Sequence, residues 1–515
     1  MSYREPGLDD RSIRDPAAAA ETLAGLQGGD ALSTLTELEA RLAAMDAIAD
    51  RDEGDHARIL TLMVEAGEPH VAALLAPYLA RPADRQKGHK PTWPSIGSYV
   101  EAMSRALCAS AERLLERAAG EPSLHAAAAA AAARALHACR LWAKACFVLY
   151  LDAPGDLWRT AYGVHRAGES AGCENVPVRV HGGHRATTTV THELARLLML
   201  QCSAPEMMSP AQIQAADRVI EQVGGDFTLR PRGVVDNPFC FDPRGEAPPR
   251  RADESSERDG ELRYFGPGSG YDALERMHGQ VSGSADAHGQ LSAMHHLLAF
   301  WAEKSPYTPR ARTPADAALQ VVPGYSQAWQ QVQRGRTAVA ELSLAADGDE
   351  PLQSPETWKL LDAGGRELGV EVPKASSDWM RCGDVVALSL PDEPEWWLGL
   401  VRSMHADPGR PMHATILVLT REPVAWQMRS VVETTEEKGI TEEAARQFSY
   451  LQIRALMVSD GNGHPANLLM PPDQWKPGRT FELGGDDQKR YVRCSRLLRR
   501  GDDYVRVAFD WADRT

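Results

Sequence analysis

The sequence predicts an α+β multidomain protein: an N-terminal all-α helical-hairpin region followed by two small antiparallel β-barrel-like modules. Three observations predict it. Up to about residue 235, apolar residues recur three and four apart, the period of a helix with one buried face. From Thr313 onward, short β-branched and aromatic runs alternate with Gly, Pro and Asp, the spacing of antiparallel strands and turns. Between the two, the Phe241–Leu262 stretch "FDPRGEAPPRRADESSERDGEL" is charged, proline-rich and poor in apolar residues, the composition of a surface loop or linker.

In chain order, "ALSTLTELEARLAAMDAIAD" places Leu32, Leu35, Leu38, Leu42 and Met45 on one helical face, and "SIGSYVEAMSRALCASAERLLERA" repeats the pattern. The low-polarity run "LHAAAAAAAARALHACRLWAKACFVLYL" is interrupted by His125, Arg134, His137, Arg140 and Lys144. Alanine forms helix well but is only weakly apolar, so this run predicts a buried helix rather than a membrane span. "PGDLWRTAYGVHRAGESAG" starts a helix at its Pro-Gly turn, with Trp158, Tyr162 and His165 on one face. "THELARLLMLQCS" and "SPAQIQAADRVIEQV" follow, the second with Ser209 as N-cap and Pro210 at the first helical position. No fixed period emerges, so the region is assigned as a helical bundle or solenoid-like array over 1–235.

The expected boundaries continue as a linker over 236–262, a two-helix connector over 263–304, a first barrel over 305–430 and a second over 431–515. The first barrel is built from "ALQVVPG", "ETWKLLDAGG", "ELGVEVP", "GDVVALSLP", "EWWLGLVRSMHA" and "HATILVLTREP", with "GYSQAWQQVQ" as a helix after the first strand. "VETTEEKGITEEAARQFSY" is a polar helical stretch, after which "IRALMVSDG", "GRTFELGG", "KRYVRCSRLLRR" and "DYVRVAFDW" form the second set. Arginines 493, 496, 499, 500 and 506 there suggest a solvated strand edge whose charges block further pairing.

The net charge of −15 argues against a nucleic-acid coat or an anionic-membrane binder, because both need an excess of cations. The eight cysteines contain no C-x-x-C pair and read as free thiols of a reducing cytoplasm. The N-terminus "MSYREPGLDDRSIRDP" has no apolar segment of the secretory kind.

Two features carry candidate chemistry. Arg310 and Arg312 stand on the proline-stiffened stretch "SPYTPRARTPADAALQVV". A guanidinium fork can meet a phosphate or a guanine edge bidentately, and a stiff loop lowers the cost of ordering it. A charged interdomain loop is the plainer reading. In "LLDAGGRELGVEV", Asp362 can accept hydrogen bonds from a purine N–H edge, while Gly364 and Gly369 would let a flat ring approach the backbone. A hairpin turn explains the same residues.

Other candidates are weaker. "THELARLLM" begins like H-E-x-x-H but has Arg196 at the second histidine position, so His192 and Glu193 are expected to form a helix-surface pair. His295 and His296 are expected to pack between helices. His181, His184 and His192 form the one histidine cluster, read as a loop, so no metal site is expected. No nucleotide P-loop, nucleophile elbow or paired-carboxylate motif occurs, and no enzyme is expected.

The order of elements is an Arg-bearing loop, a strand, an Asp/Gly turn, "GDVVALSL" and then "WWLGLVRSM". It resembles the PilZ family of cyclic di-GMP receptors, in particular long proteobacterial members with a helical N-terminal region. "ARLLMLQCSAPEMMSPAQIQAADRVI", "AWQQV" and "MPPDQWKPGRTFEL" add to the resemblance. It implies that an R-x-x-x-R loop clamps phosphates and guanines and that a D/N-x-S-x-x-G motif contacts the other guanine edge. Arg312 falls at the second arginine and Asp362 at the aspartate. The first arginine position holds Thr308, the serine position Gly364 and the last glycine position Glu367, with Gly369 two residues late.

These departures favour a non-enzymatic cytoplasmic adaptor that keeps the PilZ-like fold and acts through protein–protein contacts of its helical region. The alternative is a functional cyclic di-GMP receptor with the helical region as output module. A metal enzyme built on the three histidines stands far behind. No organic cofactor beyond the possible dinucleotide, no nucleic acid and no membrane span are expected.

Overall fold

The computed structural model describes residue 13 and residues 15–512, except 27, 46–51, 80–92, 181–186, 232–236, 254–260, 282–287, 305–310, 338–352, 378–379, 392, 394, 408, 432–451, 460–464 and 485–489. The chain divides into two compact units, Met1–Thr308 and Pro309–Thr515.

In the first unit the helices are α1 (Pro16–Leu26), α2 (Ala31–Met45), α3 (Glu53–Leu79), α4 (Trp93–Ala118), α5 (His125–Val148), α6 (Gly155–Ala171), α7 (Val190–Gln201) and α8 (Pro210–Val223). Local chemistry sets several ends. The Thr189 hydroxyl accepts from the His192 N–H at 3.1 Å and starts α7. Ser209 and Gln212 exchange a capping box behind Pro210, as the sequence predicts for α8. Gly172, at φ +67°, closes α6 in the left-handed conformation that glycine adopts without strain. The alanine-rich α5 is buried along most of its length, and its small side chains let it lie close along α4.

The stretch expected as a linker is largely part of this unit. Strands β1 (Thr228–Arg230), β2 (Phe239–Phe241), β3 (Arg250–Arg251) and β4 (Arg263–Gly266) form a sheet in the order β1-β4-β2-β3. Phe239, Cys240 and Phe241 are buried, and the Phe241 ring lies 4.7 Å from that of Tyr162. The Tyr162 hydroxyl donates to the Ala247 carbonyl at 3.1 Å. Arg251 donates to the carbonyls of Phe300 (2.7 Å), Ala302 (3.0 Å) and Glu303 (2.8 Å). A mostly polar segment is thus held by its few aromatic residues and one guanidinium, which overall composition does not register. The connector helices α9 (Gly270–Val281) and α10 (His288–Trp301) belong to the same body, with Trp301 donating to the Ser203 hydroxyl at 2.9 Å.

The second unit holds two closed six-stranded antiparallel barrels, as the sequence predicts. The first contains β5 (Thr313–Pro323), β6 (Glu356–Gly364), β7 (Glu367–Val372), β8 (Val385–Ser389), β9 (Trp397–His405) and β10 (Met412–Thr420), in the order β10-β7-β6-β5-β8-β9. The second contains β11 (Val424–Ser430), β12 (Gln452–Ser459), β13 (Pro465–Met470), β14 (Thr480–Gly484), β15 (Arg490–Arg500) and β16 (Val505–Ala512), in the order β11-β12-β13-β16-β15-β14. Helix α11 (Tyr325–Thr337) follows β5 and packs between the barrels. The Tyr325 hydroxyl donates to the Arg454 carbonyl at 2.6 Å and the Trp329 indole to the Trp426 carbonyl at 3.1 Å. Val322, Val385 and Leu400 share one buried layer with Leu456, Val458 and Leu469.

The arginine-rich β15 is not a sheet edge: it pairs with β14 on one side and β16 on the other. Barrel closure removes the edge, and Tyr504 is wholly buried, donating to the Gly383 carbonyl at 3.1 Å. The polar stretch expected to be helical lies almost wholly outside the described residues.

The helical unit contains a pH-sensitive group. His165 on α6 is 3% exposed, its Nε2 has no partner, and its Nδ1 lies 3.9 Å from Glu169. Burial, aided by Arg263, pushes the imidazole down to about 4. The folded value lies below the unfolded value of about 6.5, so the unfolded chain binds the proton first. His165 therefore contributes its full stability above about pH 6.5 and loses it as pH falls toward 4, a change of about 3 kcal/mol. Urea unfolding of the wild type and of His165→Phe between these limits is expected to give a steeper loss for the wild type. Parallel curves would contradict this assignment.

Candidate functional site

The register of the first barrel brings the two halves of the predicted site together. Thr313 pairs with Ala363 and Pro314 with Asp362, so the lead-in to β5 crosses the end of β6. A Cβ on Gly364 would lie 2.5 Å from the Ala311 carbonyl oxygen and 3.1 Å from the Arg312 Cα. Only glycine allows this crossing. Gly369 faces Asp362 across the β6–β7 pair, and a Cβ there would lie 2.4 Å from the Asp362 Oδ1. The sequence suggested that these glycines admit a flat ring; here they admit the barrel's own arginine loop and carboxylate.

Along β7, Leu368, Val370 and Val372 are buried on one side of the strand, which puts Glu367 and Gly369 on the other, outer side. Arg312 lies over that outer surface. Its Nη1 donates to Asp362 Oδ1 at 3.3 Å, its Nη2 to Glu367 Oε2 at 3.0 Å, and both reach the Thr415 hydroxyl at 3.3 Å. Arg402 on β9 donates to the other Glu367 oxygen. Glu367 is 5% exposed because two guanidinium groups cover it. The cluster of two cations and two carboxylates therefore has no net formal charge.

Arg312, Asp362, Gly364 and Gly369 are thus gathered at one place, whereas Arg310 and Thr308 lie outside the described residues. Sequence reasoning missed Arg402 and Thr415. A signal for the first was present: Arg402 interrupts the apolar strand of "WWLGLVRSM", and a register shift in the β9–β10 pairing leaves it out of the ladder. Glu367, at the last glycine position of the motif, is the anchor that orients both arginines.

Residues 17–232 match the family model described as "Cyclic-di-GMP receptor FimW, N-terminal domain". The match lies on the helical unit and covers neither barrel. No curated protein and no solved structure matches the chain.

The remaining candidates resolve into structural roles. His192 and Glu193 do not form a helix-surface pair. Glu193 is fully buried and accepts from both Arg196 and the Thr188 hydroxyl, with His137 Nδ1 3.6 Å away. Burial would raise its carboxyl, but His137 and Arg196 outweigh that and hold it well below the usual range. Beside it, Asp217 accepts from Arg140 and from Lys144 at 2.7 Å. His296 binds the Ser203 carbonyl at 2.7 Å and stacks on Phe300, so it packs as expected, whereas His295 is exposed. His181 and His184 lie outside the described residues, and among the described residues no three potential ligands gather around a metal position.

Proposed function

We propose that the protein is a cyclic di-GMP receptor that acts in the cytoplasm, with the dinucleotide on the outer face of the first barrel and the helical unit as the output module that contacts a protein partner. The observation that carries this reading is the meeting of Arg312 with Asp362 at 3.3 Å on the barrel surface. The FimW-type match over residues 17–232 favours the receptor among the two readings the sequence left open.

The chemistry follows from the donors present. Arg312 and Arg402 offer planar forks for phosphate oxygens. Asp362, 35% exposed at its side chain, can accept from the N–H edge of a guanine. Both arginines already hold Glu367, so binding exchanges carboxylate for phosphate and is weaker than capture by free arginines. A silent PilZ-like scaffold is the second reading, and the neutralised cluster favours it.

Titration calorimetry of the full chain with cyclic di-GMP tests the choice. Saturable binding is expected, weakened about tenfold or more by Arg402→Ala, since a charge-assisted hydrogen bond is lost. Cyclic di-AMP, without the guanine N1–H, is expected to bind less tightly. No heat of binding with cyclic di-GMP would leave the scaffold reading in place.

A further inference from the structure

We propose that the helical unit holds a single-chain amphipathic anion, an acyl chain with a carboxylate head, in a cavity between α3, α4, α5 and α8. The cavity measures about 320 Å³, within the range of small-molecule sites. Val71, Leu75, Met103 and Leu141 line it with apolar surface, while Arg134 and Arg218 supply two cations against one lining carboxylate, Glu68. An apolar trough beside a net positive charge suits a ligand that is apolar along its length and anionic at one end.

Two further observations support this. Lys144, on the same wall, is 7% exposed with its ammonium fixed and matched by Asp217 at 2.7 Å, so the head group falls to Arg134 and Arg218. Arg134 is fixed by the fold, its Nε donating to the Val180 carbonyl at 2.7 Å. The Glu53–Pro77 part of α3 is long and apolar enough to cross a membrane, with mean hydropathy 1.4 in its most apolar window, yet only 22% of that window is buried. The helix thus carries more apolar surface than its neighbours cover, and Val71 and Leu75 bring part of it to the cavity.

The full chain can be tested by equilibrium dialysis against octanoate, decanoate and dodecanoate below their micelle concentrations. One site per chain is expected, with affinity rising up to about fourfold per methylene until the cavity is full. Arg218→Glu, at an exposed position, is expected to weaken dodecanoate at least tenfold without changing the thermal transition. Met103→Trp, which fills the trough, is expected to abolish binding. A neutral dodecanol that binds as tightly would overturn the proposal and mark the trough as a seat for an apolar protein helix. Non-saturable uptake, or affinity unmoved by both substitutions, would overturn it as well.

Discussion

Arg312→Ala is expected to weaken cyclic di-GMP binding ten- to a hundredfold, the effect of losing a charge-assisted contact of about 1.5–3 kcal/mol. The substitution also removes one positive charge from beside Asp362 and Glu367, which leaves the described cluster with a net charge of −1. Glu367→Gln is expected to do the reverse. It removes one negative charge, keeps an oxygen that can accept from Arg312 or Arg402, and leaves both guanidinium groups more available to phosphate. Calorimetry on the two variants and the wild type, with thermal melts to confirm folding, separates these effects. Tight wild-type binding that survives Arg312→Ala would remove the site from this face of the barrel.

The largest loss of stability is expected from Asp217→Ala. Asp217 is 4% exposed and faces both Arg140 and Lys144, which are 1% and 7% exposed. Burial alone would raise its carboxyl; the two cations outweigh burial and hold it down at about 2. Its stabilising contribution is therefore complete above the unfolded carboxylate value near 4 and disappears as pH falls toward 2. Removing the carboxylate leaves two cations in the core of the helical unit. A cost of about 3–5 kcal/mol is expected, measured by denaturant unfolding followed through helical circular dichroism. Replacing Arg140 and Lys144 by methionine together with Asp217→Leu is expected to restore most of it, since a packed apolar triad needs no compensation. An Asp217→Ala midpoint close to wild type would mean that these cations find other partners.

The fold was largely legible because it rests on local chemistry. The three- and four-residue period of Leu32, Leu35, Leu38 and Leu42 appears as α2, and the Ser209–Pro210 start appears as a capping box. The strand runs appear as two barrels. Reading failed where a distant partner decides. Nothing near Arg251 in sequence shows that it will bind three carbonyls some fifty residues away. Nothing near Glu193 shows that His137 and Arg140 await it across the helix interface. At the site, the aspartate and one arginine were legible from their loops. The second arginine showed only as a break in the apolar run of its strand, because Arg402 reaches the cluster through barrel closure and a register shift between β9 and β10.

The layer shared by Val322, Val385 and Leu400 with Leu456, Val458 and Leu469 means that neither barrel is a portable module. Separating the barrels by a cut between β10 and β11 would turn interior into surface on both pieces, at about 1.5–3 kcal/mol for each large apolar side chain uncovered. Summed over the layer, a loss of that size is comparable with the margin by which a small domain stays folded. The two rings are therefore expected to melt and refold as one, so that a fragment carrying either alone would lack part of its own interior.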